Sequence, residues 1–404
     1  MAEDIGQIVS RLSRERELGA EEYRALLVCS DPETVGLLHE AARETAVRRF
    51  GRKIYIRGLI EFTNICRNDC CYCGIRKSNT HVSRYCLSKE EILGCCREGH
   101  RLGFRTFVLQ GGELPDSADG MIEEVCAAIR SEFPDCAITL SVGERREESY
   151  RRFFAAGASR YLLRHETRNP SHYSRLHPSS MSLDNRLRCL EHLKDIGYQT
   201  GTGIMVGSPY QSIENIVEDI LFIQKFRPEM IGLGPFIPHK DTPFGQDKIL
   251  PMFGQDRSIP VFGSERSVDL TLRLISIFRL MFPNALIPAT TALASLPMNG
   301  LSTVMAEGRT SVHGGATVSG ISEQSTVSGI PEGTTISGRE LGILAGANVV
   351  MPNLSPAGVR GSYSLYDGKA SSGSESAEGL AQLRKALEGI GYDVTVDRGD
   401  YFRE

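Results

Sequence analysis

From residue 50 onward the chain repeats one pattern: a short apolar, β-branched run, then a stretch with helical spacing. Eight such runs can be read, at residues 54–62, 105–113, 137–144, 160–166, 199–207, 230–238, 285–292 and 347–354. Helix-period segments at 89–102, 121–133, 148–156, 183–196, 213–226 and 267–282 lie between most of them. Alternation of this kind predicts parallel strands joined by crossover helices. Eight near-continuous apolar strands predict an α/β fold, a closed (βα)8 TIM-type barrel. A doubly wound open sheet is the competing architecture. The length of 404 residues accommodates one barrel with extensions.

Residues 1–50 read as an N-terminal helical segment, with Asp31-Pro32-Glu33 as a helix start. The barrel is assigned to 51–356, and 357–404 to a C-terminal helical tail with a helix at 377–390. Residues 295–337 break the pattern. They are rich in Gly, Ser and Thr and repeat TVSG at 317–320 and 326–329, then TISG at 335–338. Too few large apolar residues occur there to make a core. The expected structure is a flexible insertion leaving the active-site face, either filler or a functional lid.

Composition excludes several functions. A hydrophobic share of 41% with 24% charged residues supports a packed core. Lys+Arg is 46 against 50 Asp+Glu, a net charge of −4, so no basic excess points to nucleic acid. No apolar run reaches the roughly 18 residues of a membrane span. The amphipathic N-terminus has no signal-peptide core, so a cytoplasmic enzyme is expected.

Eleven cysteines all precede residue 190, an odd number that argues against a disulfide framework. Four of them fall in Cys66-Arg-Asn-Asp-Cys70-Cys-Tyr-Cys73, on a loop after the first strand. Three thiolates spaced CxxxCxxC can ligate three irons of a [4Fe–4S] cube and leave the fourth open. Structural zinc would want a second CxxC-type pair downstream, and none exists. A redox thiol loop is the remaining reading. Cys71 is a spare, Tyr72 an aromatic wall, and Cys95, Cys96 and Cys126 lie in helix patterns as small core residues.

Polar residues end several strands: Glu61, Gln110, Glu113, Ser141, Glu144, Arg164, Glu166, His239, Thr290 and Thr291. Any one alone reads as a solvated strand end. Together, at the end where barrel active sites lie, they predict a lined polar cavity.

The cysteine loop followed by a barrel pattern resembles the radical S-adenosylmethionine (SAM) superfamily. Gly111-Gly112-Glu113 matches that superfamily's GGE element, which meets the methionine amino group. Residues 203–207 and Gln211 match the fifth-strand region near adenine. Strings at 61–66, 161–167, 234–239, 241–243, 287–292 and 348–353 resemble the [FeFe]-hydrogenase maturase branch, the HydE family. Methylornithine synthase and biotin synthase share the barrel and cysteine loop.

The resemblance implies one [4Fe–4S] cluster on Cys66, Cys70 and Cys73, with SAM as cofactor. It implies that Glu166 grips the ribose and Arg164 the carboxylate of SAM, that Arg186 is a second basic contact, and that Met205 is a wall. Thr139, Ser141, Glu144, His239, Thr290 and Thr291 would line the substrate cavity. For Arg186 the plainer reading is a solvated helix charge, and for His239 a structural hydrogen bond. Tyr363, Leu365 and Tyr366 sit where the family's chain closes over the barrel, or simply pack.

The implied chemistry is reductive SAM cleavage to a 5′-deoxyadenosyl radical. The implied substrate is a cysteine-ligated iron carbonyl cyanide from a partner maturase, with an electron donor as a further partner. A mutase or sulfur-inserting enzyme acting on an amino acid or small carboxylate is the alternative. A non-catalytic iron–sulfur scaffold is a third reading, against which the GGE string and Glu166 argue. The chain departs from the family twice. The insertion 295–337 is extra, and Lys369-Ala-Ser-Ser-Gly-Ser-Glu lacks the cysteines that bind a second cluster in some members.

Overall fold

The computed structural model describes residues 4–246, 264–296 and 336–402. Residues 297–335, which hold most of the insertion and its first two repeats, lie outside the described residues.

Three helices open the chain, Ile5–Glu15, Ala20–Val28 and Pro32–Phe50. The Asp31 carboxylate accepts from the Thr34 N–H at 3.0 Å, and Pro32 occupies the first turn where its missing N–H costs nothing. Ala20–Val28 packs on the helix Ile213–Phe226, and Pro32–Phe50 on Ser264–Met281. His39 Nδ1 meets Ser276 Oγ at 2.8 Å inside that second contact. The extension is therefore an outer layer fused to the later helices of the barrel.

The strands are β1 Lys53–Ile56, β2 Gly58–Thr63, β3 Thr106–Gly111, β4 Ala137–Ser141, β5 Ala158–Leu162, β6 Gln199–Val206, β7 Met230–Pro235, β8 Val349–Val350 and β9 Asp393–Thr395. β2 through β7 pair in chain order, all parallel. This curled six-stranded sheet carries its helices in the expected places. Leu183–Ile196 and Ile213–Phe226 begin on Ser182 and Ser212, whose hydroxyls accept from backbone N–H groups three residues on.

The eight-strand expectation needs correction in its last sector. The run at 285–292 forms only bridges, Leu286 to Met230 and Pro288 to Val349. The run at 347–354 shortens to Val349–Val350. Leu59 N–H donating to Pro352 O and Leu354 N–H to Leu59 O carry the pairing back to β2. Pro288 and Pro352 have no N–H to give, which explains why the ladder thins there. The first run also divides at Arg57. Its first part, β1, pairs with β8 and with β9, a strand within the segment expected to be a helical tail. The helix Pro170–Leu176 was not expected either, although Asn169-Pro170 signals it.

That tail seals the N-terminal end of the strands. Arg160 is fully buried on β5, and its guanidinium meets Asp400 Oδ1 at 2.6 Å and the Arg398 carbonyl at 2.9 Å. The interior therefore opens at the C-terminal strand ends. Cys95, Cys96 and Cys126 are buried in the main core, as their helix pattern predicts. Among the described residues, no helix is long and apolar enough to cross a membrane.

Candidate active site

The cysteine loop follows β2 and sits over the open strand ends. Backbone groups hold it from several sides. Gly74 N–H donates to Leu365 O at 2.9 Å, and Cys71 N–H to Leu176 O at 2.8 Å. Arg84, which nothing in the sequence singled out, is the central support. Its guanidinium donates to the carbonyls of Asn64 (2.6 Å), Ile75 (2.8 Å), Arg76 (2.5 Å) and Asn79 (3.0 Å). One planar fork thus replaces the secondary structure that a loop lacks.

Cys66, Cys70 and Cys73 are close enough to raise one another's thiol pKa. Burial pushes the Cys70 thiol up, reinforced by Cys73 and Cys66. Burial, then Cys66, pushes Cys73 up to about 12. Three thiols so placed are held as thiolates only by a cationic partner, which fits an iron–sulfur cluster. Cys71 is outside this group, and its charged neighbours are Arg76 and Asp69.

Gly112 is where strand end meets loop. A Cβ there would lie 2.3 Å from Ile65 O and 2.8 Å from Cys66 Cβ. Glu113 N–H points to Cys66 Sγ at 3.4 Å. The Glu113 carboxylate turns away from the cavity, accepting from Arg67 Nε at 2.8 Å and from Glu144 N–H at 2.9 Å. The residues at 203–207 and Gln211 also hold the end of β6. A Cβ on Gly203 would sit 1.9 Å from Gly232 O, so strand packing against β7 requires that glycine. Gln211 braces the end of β6, accepting from Gly207 N–H at 2.6 Å and donating to Met205 O at 2.9 Å.

Below the loop lies a cavity of about 340 Å³, within the usual range for small-molecule sites. Ser141, Arg164, Glu166, Arg186, Met205, Thr290 and Thr291 all line it, as do Cys73, Gly111, Tyr363, Leu365 and Tyr366. Arg164 Nη2 meets Glu166 Oε2 at 2.8 Å. Glu166 holds a φ of 64°, a conformation that only surrounding structure sustains in a non-glycine residue. Its N–H donates to Gly203 O at 3.1 Å. Between the two, His165 is fully buried against Thr202 Oγ1 at 2.9 Å, and burial pulls its pKa down to about 3.

Arg186 is not a solvated charge. It is buried, its Nε donates to Glu144 Oε1 at 2.6 Å, and its Nη1 donates to Arg164 O at 2.7 Å.

Three predicted cavity residues stand elsewhere. Glu144 is outside the lining because it is spent on Arg186 and on Asn185 Nδ2 at 2.6 Å. Thr139 lies two residues before Ser141 on β4, one inward layer deeper, outside the cavity lining. His239 is a wedge at the rim, its Nδ1 accepting from Asp241 N–H at 3.1 Å and its ring against Gly74. Glu61 and Gln110, read in the sequence as polar strand ends, line the cavity, and so does Lys369, which the sequence did not single out. Lys369 arrives from the C-terminal segment, a placement no local signal gives.

The sequence profile of the radical SAM superfamily matches residues 60–223. The [FeFe]-hydrogenase maturase subunit HydE of Thermotoga maritima is 35% identical over 363 residues, 90% of this chain and 88% of that protein. The 3-methylornithine synthase of Methanosarcina acetivorans is 27% identical, covering 73% of this chain and 79% of its own. In fold, the crystal structure of methylornithine synthase (PylB) superposes with a TM-score of 0.71 at 23% identity, over 96% and 97% of the two chains. The cysteine loop, the strand order beneath it and identity across nine-tenths of the sequence agree: the chain belongs to the HydE family of radical SAM enzymes.

Proposed function

We propose that this chain cleaves SAM reductively and uses the resulting radical in [FeFe]-hydrogenase maturation. The observation that carries this reading is a three-cysteine loop that reaches, through Cys73, a cavity whose mainly apolar walls carry Arg164, Glu166 and Arg186, in a chain of the HydE family. Cys66, Cys70 and Cys73 would hold a [4Fe–4S] cluster. When bound, that cluster supplies one electron to the SAM sulfonium, so that the C5′–S bond breaks into methionine and a 5′-deoxyadenosyl radical.

The protein's own part is to bind, orient and exclude water. Arg164 takes the SAM carboxylate, and Glu166 the ribose hydroxyls. Arg186 fixes the Arg164 backbone rather than reaching solvent. Gly111 and Gly112 bring the β3 end flush with the loop, so backbone groups there can meet the methionine amino group. Glu113 supports this corner through Arg67 and the Glu144 N–H. Met205 walls the adenosyl side while Gln211 holds its strand end. The sealed floor and the Tyr363, Leu365 and Tyr366 cover keep bulk water from a reactive alkyl radical.

The reading calls for an electron donor and for a maturase that delivers a sulfur-ligated iron precursor. Eleven free cysteines suit a reducing compartment, the cytoplasm. Anaerobic reconstitution with iron, sulfide, SAM and dithionite should yield 5′-deoxyadenosine; none would sink the enzyme reading. A strain lacking the protein should make inactive [FeFe]-hydrogenase. Active hydrogenase there, with SAM cleavage intact in vitro, would instead favour a mutase or sulfur-inserting reaction like those of the 3-methylornithine and biotin synthase relatives.

A further inference from the structure

At the opposite end of the barrel from the cavity, three metal-ligating side chains of different types converge. His100 sits in the last turn of the helix Lys89–Arg101, and Asp135 and Cys136 immediately precede β4. Their ligand atoms all lie within 4.8 Å of one another. His100 Nε2 is 3.2 Å from Asp135 Oδ2 and 3.3 Å from Oδ1, and Cys136 Sγ is 3.8 Å from Oδ1. The His100 and Asp135 side chains are 34% and 52% exposed, while Cys136 is buried. The cavity lies at the C-terminal strand ends, so none of the three is placed to serve SAM.

The three are held in place from outside. Cys136 N–H donates to Phe133 O at 3.0 Å, and the His100 ring leans on the Phe133 ring at 5.3 Å. Arg105 Nε meets Asp135 Oδ2 at 2.9 Å, and its Nη1 donates to the carbonyls of His100 (3.1 Å) and Phe104 (2.9 Å). Arg105 therefore orients the carboxylate through one oxygen. The other oxygen, Oδ1, faces His100 and Cys136, so a cation among the three replaces protons rather than partners. Zinc bonds of about 2.0–2.2 Å to N and O and about 2.3 Å to S put tetrahedral ligand atoms about 3.3–3.7 Å apart. The observed 3.2, 3.3 and 3.8 Å lie close to those edges. A half-exposed His–Asp pair contributes little by itself and has no use for a thiol. The thiol selects zinc over Mg²⁺ and Ca²⁺, which prefer oxygen ligands.

We propose that His100, Asp135 and Cys136 bind one Zn²⁺ ion, with water in the fourth position on the solvent side. His100 supplies Nε2, Asp135 supplies Oδ1, and Cys136 supplies its thiolate, whose proton passes to solvent on binding. The carboxylate and the thiolate together offset both charges of the ion. Arg105 is a positioning residue that acts through the carboxylate it holds. The ion links the end of the helix Lys89–Arg101 to the start of β4, so its binding stabilises the folded chain. This site is separate from SAM cleavage and does not rest on it.

The test adds zinc chloride to enzyme already reconstituted with iron and sulfide. After desalting, elemental analysis should find about one zinc per chain, and zinc-edge X-ray absorption should show one sulfur at about 2.3 Å with nitrogen or oxygen at about 2.0–2.2 Å. The sulfur count separates this site from the cysteine loop, whether or not that loop holds iron. His100→Ala and Asp135→Ala, both on the solvent side, should each weaken zinc binding about tenfold or more, and so should Arg105→Gln, with iron content unchanged. Cys136→Ala should remove the sulfur signal. Zinc should raise the Tm of wild type and leave that of His100→Ala unmoved. No zinc retained, zinc held by three sulfurs, iron lost together with zinc, or wild-type affinity in the His100 and Asp135 variants would overturn the inference.

Discussion

Glu144 and Arg186 offer a test in which stability and SAM binding should part company. Both are buried, joined at 2.6 Å, and Arg186 also anchors the Arg164 carbonyl at 2.7 Å. Glu144→Ala removes the counter-charge and strands Asn185 Nδ2, while the Glu144 N–H can still donate to Glu113. Leaving one member of a buried pair alone costs about 3–5 kcal/mol. At roughly 2 °C per kcal/mol for a large domain, Tm should fall by about 6–10 °C. The double variant Glu144→Leu with Arg186→Met removes both charges and should recover most of that loss. It does not restore the hydrogen bond to Arg164. One charge-assisted bond contributes about 1.5–3 kcal/mol, so SAM should bind the double variant about tenfold or more weakly. Thermal melts and titration calorimetry on the three proteins decide the matter. A single variant as stable as wild type, or a double variant no more stable than the single, would refute the buried-pair argument. A stable double variant with full SAM affinity would refute the role of Arg186 in positioning Arg164.

Three further outcomes are expected. Arg84→Met should lower the iron content and the ~400 nm absorption of reconstituted protein and speed amide exchange in the cysteine loop, with little change in global Tm, because its acceptors are all in or beside that loop; unchanged loop exchange would contradict it. Cys70→Ala should abolish that absorption and Cys71→Ala should leave it, and its loss in the second variant would mean the ligand assignment is wrong. Burial holds His39 and His165 at about 3, below the ordinary 6.5 of an exposed imidazole. Both are neutral when folded and take up protons when unfolded, so their contribution is whole above pH 6.5 and is lost as pH falls toward 3. Tm should therefore drop between pH 7 and pH 5 and drop less in His39→Gln; a flat profile would count against the burial argument.

The cluster site is the part of this protein most legible in the sequence. Cys66, Cys70 and Cys73 are close in the chain, so their spacing alone bounds how they converge, and the GGE string marks the strand end they meet. The helix start at Asp31 was equally local, and the caps at Ser182 and Ser212 are of the same kind, each one side chain within reach of its own backbone. Repetition of apolar runs was enough for parallel strands and a barrel-like ring.

What tertiary structure decided is which long-range partner each polar residue met. Glu113, Glu144 and His239 have residue types suited to a ligand, yet their nearest partners are Arg67, Arg186 and the Asp241 N–H. Arg84 gained its role only because loop carbonyls curled around it. The tail at 393–400 became a strand and a floor because β1 and the buried Arg160 needed partners. Lys369 entered the cavity from a segment 308 residues away from Glu61. Sequence by itself determines local spacing, periodicity and caps, since these involve neighbours along the chain. Ion pairs such as Glu61–Lys369 are set by closure of the whole ring, and no window of the sequence contains that information.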